Sequence, residues 1–168
     1  IFINELLPQK EFLSQGKLVI ETAFSLIESL SISSFIPEHG KIILAQGEII
    51  STNLYHIYLQ SIGRKSVLIN ALDFMRTNAD GEPDIELSRK NLNRIMENTE
   101  EKSYIITQGY ICRNHKSEVD NLQRGGSDYT ATIVGAALYA DEIQIWTDID
   151  GMHNNDPRIV NKTIPVVQ

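Results

Sequence analysis

The chain has 168 residues, 42% of them hydrophobic and 22% charged, the balance expected of one compact domain able to bury its own core. Its formal net charge of −7 opposes non-specific nucleic-acid binding, and its single cysteine, Cys112, excludes an internal disulfide and a thiolate metal cluster. With no apolar run long enough to span a bilayer and no basic-then-apolar leader, a soluble, cytoplasmic protein is expected.

Residues 16–30 place Leu18, Ala23, Phe24, Leu26, Ile27 and Leu30 at helical spacing, with Glu21 and Glu28 off the stripe, and predict a helix. Residues 40–48 (GKIILAQGE) start as a short apolar run and break at Gly47, after which helical spacing resumes and stops at Gly63; a strand, a loop and a helix are expected. Residues 65–70 (KSVLIN) predict a buried strand, 87–98 a helix and 103–111 (SYIITQGYI) another strand. Residues 76–84 (RTNADGEPD) read as a flexible surface loop. After the RGGSD turn a helix runs from about Tyr129 to Ala140, and residues 143–147 (IQIWT) form a strand closed by the DIDG turn. This alternation predicts one α/β domain with a largely parallel sheet covered on both faces.

Ligands in open α/β sheets sit beyond the carboxyl ends of the strands, which points to the segments after Ile111, after Thr147 and around residues 46–48. In RGGSD, Gly125 and Gly126 let consecutive N–H groups face one spot, Ser127 or Asp128 can cap the following helix, and Arg124 can clamp a carboxylate or phosphate. The same residues suit a plain glycine turn before a capped helix. Residues 145–158 offer a second half-site through Thr147, Asp148 and Arg158, or simply a strand end with an Asp-Gly turn. Glu48 can take a ligand ammonium group or complement a helix dipole. GRKS at 63–66 lacks the spacing of a phosphate-binding loop, and Ser127 beside Asp128 is not a triad. His39, His56, His115 and His153 show no metal-ligand spacing and read as surface or loop residues.

In chain order, QGE (46–48), MRTN (75–78), ITQGYI (106–111), RGGSDYTA (124–131), IWTDIDG (145–151) and DPRIV (156–160) resemble the motifs of the amino-acid kinase family, and within it the aspartokinases, over residues 41–160. The resemblance implies a three-layer αβα sandwich of the carbamate kinase-like type, here incomplete, and phosphoryl transfer from ATP, with Mg2+, to the side-chain carboxylate of L-aspartate. The charge and the lack of an apolar span argue for no nucleic-acid or membrane partner, and a homo-oligomeric parent is expected. By the family pattern Arg124 clamps a substrate carboxylate, Glu48 holds the α-ammonium group, Ser127 contacts substrate and Asp128 organises the catalytic polar network. Gly125, Gly126, Thr147, Asp148, His153 and Arg158 fall to the nucleotide. The chain departs from the pattern at Gln123, where glycine usually precedes the arginine, and at Cys112, where a small residue is usual. It departs again at His153, in place of a tyrosine, and in SEVDN (117–121), in place of a Thr-rich approach. The family's Lys-Phe-Gly-Gly strand does not occur in these residues, so a central fragment of a catalytic domain is expected, inactive alone. Sister kinases of glutamate, N-acetylglutamate or UMP, and a non-catalytic metabolite-sensing module, are the alternatives.

Overall fold

The computed structural model describes residues 2–32, 34–99, 103–123, 125–146, 153–156, 159–164 and 166. Two long helices lead the chain. After the short α1 (Phe2–Leu6) come α2 (Lys10–Ile32) and α3 (Pro37–Ser61), packed together with Leu7, Leu54 and Ile57 buried between them. Gly16 permits this approach, because a Cβ there would sit 2.7 Å from Leu7 Cδ1 and 3.2 Å from Leu54 Cδ2.

Residues 40–48 belong to α3 and form neither strand nor loop, which corrects the sequence expectation. Pro37 opens the helix after an extended Ile36; Ala45 joins the cluster that includes β1, and Leu54 and Ile57 join the cluster with α1 and α2, so α3 is buried on two sides while Leu44 points to solvent. An apolar run as short as IILA fits either element by pattern alone. Burial against α2 and the sheet then outweighs the helix penalty of Gly47, about 1 kcal/mol.

β1 (Ser66–Ile69) and β2 (Tyr104–Thr107) pair in parallel, Leu68 opposite Ile106, as the strand patterns predict. Ser66 and Gln108 on one face hydrogen-bond to α3, while Val67 and Ile69 on the other join the cluster that holds Leu92 of α5 (Ile85–Met96) and Ile133 of α6 (Gly126–Ala137). The order is therefore helix, parallel strands, helices, an α/β arrangement. β3 (Ile111–Arg113) and β4 (Val119–Asn121) form a separate antiparallel hairpin, so the expected strand 103–111 is two strands with a break at 108–110, and only half of the described pairing is parallel. Lys41 Nζ of α3 donates to Asp120 Oδ2 of β4 at 2.7 Å, a bond that raises the lysine pKa and ties the hairpin to α3.

Asn70 caps α4 (Ala71–Phe74) through the Leu72 N–H, and Asp84 caps α5 through the Leu87 N–H. Between them, residues 76–84 are a closed loop rather than a loose one. Thr77 N–H donates to Arg113 O, and Asn78 Oδ1 accepts from both Asp80 and Glu82. The Arg76 guanidinium donates to the carbonyls of Leu72, Met75 and Asp73, so the arginine of MRTN closes the end of α4. Residues 143–146 of the strand expected at 143–147 have no strand pairing, and Trp146 is 90% exposed. A strand exists only as paired backbone, and no ladder partner adjoins this segment among the described residues. His39 and His56 lie on α3 rather than in loops. Burial lowers the His56 pKa, and its Nδ1 lies 2.9 Å from Ser66 Oγ.

Candidate active site

The carboxyl ends of β1 and β2 bring four segments together. Gln108, the first residue beyond β2, is 1% exposed. Its Oε1 accepts from Ala71 N–H, at the start of α4 beyond β1, at 2.8 Å. Its Nε2 donates to Thr52 Oγ1 of α3 at 2.8 Å, and Thr52 in turn donates to the Glu48 carbonyl one helical turn earlier, also at 2.8 Å. Gly109 faces the other way. A Cβ on it would lie 2.9 Å from Cα, Cβ and Oγ of Ser127, so only hydrogen fits between the strand end and the first turn of α6. The half-buried Glu48 and the exposed Ser127 and Asp128 are thus carried by elements that touch two successive residues of one strand end.

The loop into α6 is built by backbone geometry. Gly125 is the N-cap residue with φ 78°, and no side chain caps the helix. The helix consequently starts at Gly126, three residues before the expected Tyr129, and ends at Ala137. Ser127 and Asp128 are in its first turn and are not its cap. The Gly126 N–H is taken by Gln123 O at 3.1 Å, and the positive end of the helix dipole favours an anion there. The two glycines have different reasons. Gly125 supplies a left-handed turn with nothing within 4 Å of a Cβ, whereas Gly126 is buried, a Cβ on it meeting Leu122 Cβ at 2.9 Å and Tyr110 Cδ2 at 3.1 Å. Thr130 locks this packing, its Oγ1 donating to Gly126 O at 2.8 Å and accepting from Tyr110 N–H at 3.2 Å.

Gln123 stands at φ 59°, the left-handed region that glycine occupies freely and other residues occupy at a cost of about 1–2 kcal/mol. The departure from the family pattern at this position therefore keeps a glycine-type conformation. Cys112 is fully buried, and burial, aided by the Asp120 charge, pushes its thiol up to about 12, far from a reactive thiolate. The positions 117–121 form the turn and β4 of the hairpin that delivers the chain to Leu122.

Arg124, Thr147, Asp148 and Arg158 lie outside the described residues. His153 pairs through Nδ1 with Thr163 Oγ1 at 2.9 Å. Of three residues central to this geometry, Gln108 and Gly109 lie in the ITQGYI motif without an assigned role, and Thr52 is singled out by neither spacing nor motif. A polar residue buried at a strand end has no periodic signature. Only the TQG triplet after an apolar strand hints at it. Among the described residues no three His, Cys, Asp or Glu side chains group into a metal site.

The profile of the Amino acid kinase family matches residues 9–168. The chain is 32% identical over 162 residues to the lysine-sensitive aspartokinase 3 of Escherichia coli, covering 94% of this chain and 34% of that one. It is 35% identical over 119 residues to the chloroplastic aspartokinase 2 of Arabidopsis thaliana, covering 67% of this chain and 22% of the relative. The structure of E. coli aspartokinase III in complex with aspartate and ADP superposes with a TM-score of 0.70 at 31% identity, over 89% of this chain and 34% of that one. The lysine and aspartate complex of the same enzyme gives a TM-score of 0.66 at 31% identity, again over 89% and 34%. The chain spans about a third of the length of these E. coli matches.

Proposed function

Because this chain belongs to the amino acid kinase family, its profile matched over residues 9–168, we propose that it is the central part of the catalytic domain of an aspartate kinase. The reaction is phosphoryl transfer from ATP to the side-chain carboxylate of L-aspartate, giving 4-phospho-L-aspartate for lysine, threonine and methionine synthesis in the cytoplasm. The remaining catalytic elements, including a Lys-Phe-Gly-Gly strand, belong to the rest of a homo-oligomeric parent. The observation that carries the reading is the meeting of the Glu48 helix and the Ser127 turn at Gln108 and Gly109, beyond the ends of parallel strands. The aspartate and ADP bound in the similar E. coli structure support it.

The chemistry asks for charge and alignment rather than a base. The attacking carboxylate is ionised at neutral pH, and two anions must be brought into line. Glu48 holds the substrate α-ammonium group, Arg124 clamps a carboxylate, and Ser127 donates a hydrogen bond to the substrate. Asp128 orders the polar network around the transferred group and abstracts no proton. The α6 N-terminus, with Gly125 and Gly126, and the residues Thr147, Asp148, His153 and Arg158 serve the nucleotide. Magnesium would be held by one or two carboxylates and the substrate's own phosphates, and when bound would neutralise phosphate charge.

The test is hydroxylamine trapping of the acyl phosphate with Mg-ATP, on the full-length protein that carries this sequence. L-aspartate, L-glutamate and N-acetyl-L-glutamate are offered separately, and UMP is scored by ADP release. Hydroxamate with L-aspartate alone, lost in Asp128→Ala and Arg124→Ala, is the expected result. Turnover with one of the other acceptors instead, or none with L-aspartate, refutes the assignment.

A further inference from the structure

We propose that Gln108 is a positioning residue for the amino-acid substrate, acting through Thr52 to hold Glu48 at a set distance from Ser127; the inference rests on the aspartate kinase reading above. Four observations lead to it. The Gln108 side chain is almost fully buried, and both ends of its carboxamide are engaged, Oε1 by Ala71 N–H and Nε2 by Thr52 Oγ1. The orientation of the amide is not free. A backbone N–H can only donate, so it must meet the amide oxygen, and the amide nitrogen is thereby turned toward α3. Thr52 Oγ1 accepts from Gln108 and donates to the Glu48 carbonyl at 2.8 Å, which fixes the roles of both partners. Finally, the adjoining Gly109 leaves no room for even a methyl group against Ser127.

Two successive residues of one strand end thus gauge α3 on one side and α6 on the other. An α-amino acid presents an ammonium group and carboxylates a fixed distance apart, so a site that binds both charges needs its Glu48 and its Ser127 turn held at matching separation. Lys41 to Asp120 and His56 to Ser66 tie α3 elsewhere, and the Gln108–Thr52 bond ties it at the strand end that carries the Ser127 turn. Loss of the Gln108 bond lets α3 relax along its axis. Substrate binding suffers before nucleotide binding does.

The experiment is steady-state kinetics on the full-length protein with wild type, Gln108→Leu, Thr52→Val, Thr52→Ser and the Gln108→Leu/Thr52→Val double variant, each checked for folding by thermal melting. Gln108→Leu and Thr52→Val each raise KM for L-aspartate about tenfold while KM for ATP stays within about twofold, as expected for a displacement well under 1 Å at one subsite. Thr52→Ser, which keeps the hydroxyl, restores KM. The double variant is no worse than the poorer single one, because both changes break one chain of bonds. KM for L-aspartate unchanged in folded Thr52→Val, or KM for both substrates raised alike, overturns the inference and leaves the aspartate kinase assignment standing. A wild type inactive on L-aspartate overturns both.

Discussion

Gly109→Ala tests the packing that sets the site. The φ of Gly109 lies outside the left-handed region, so alanine is allowed by the backbone and its effect is steric. The new methyl carbon would lie 2.9 Å from three atoms of Ser127, Cα among them, against a comfortable limit of 3.4 Å. Backbone cannot swing aside as a long side chain can, so the first turn of α6 must retreat by about half an ångström, at an overpacking cost of about 1–3 kcal/mol. A misplacement of that size at a reacting centre lowers kcat/KM about tenfold, since displacements near 1 Å can cost a hundredfold. The assay pairs denaturant unfolding with hydroxamate kinetics on the full-length protein. Gly47→Ala is the control. That glycine is inside α3 beside Glu48 with nothing within 4 Å of a Cβ, so alanine should stabilise the helix by about 0.5–1 kcal/mol. Gly109→Ala with wild-type stability and wild-type kcat/KM would refute the claim that the strand end sets the place of Ser127.

Two further outcomes follow from backbone and burial. Gln123→Gly relieves a left-handed glutamine at φ 59°, and after the extra unfolded-state entropy of glycine is subtracted the net gain is about 0.5–1 kcal/mol, read as a higher denaturation midpoint. A loss of stability would mean that the Gln123 side chain holds the loop. Cys112 should resist a thiol reagent at pH 8 in the native protein and react fully on unfolding, because its pKa is raised by burial from 9.0 to about 12. The folded thiol keeps a proton that the unfolded thiol releases, so its contribution to stability is intact below pH 9 and is lost as pH rises toward 12. Rapid native labelling at pH 8 would contradict the packing around β3.

Much is legible in the amino-acid order alone: α2, α5, β1 and the start of β2 fall where spacing puts them, although Leu18, Phe24 and Leu26 of the α2 stripe are exposed, and six ordered motifs point to the family. Those motifs also single out Glu48, Ser127 and Asp128, whose elements do converge on one strand end. Sequence could not decide residues 40–48, where four apolar residues fit a strand as well as a helix until α2 on one side and the sheet on another bury α3. Nor could it separate β2 from β3, because the break at 108–110 is a turn with Tyr110 at φ 67° and the Ile111 N–H donating to Gly109 O, which no hydrophobic pattern marks. Gly109 and Gly126 look alike on paper, yet each is required by a neighbour that only folding brings close, Ser127 in one case and Tyr110 in the other. Local pattern encodes the period of burial within a segment. Which distant group fills the space beside it is settled only when the segments pack.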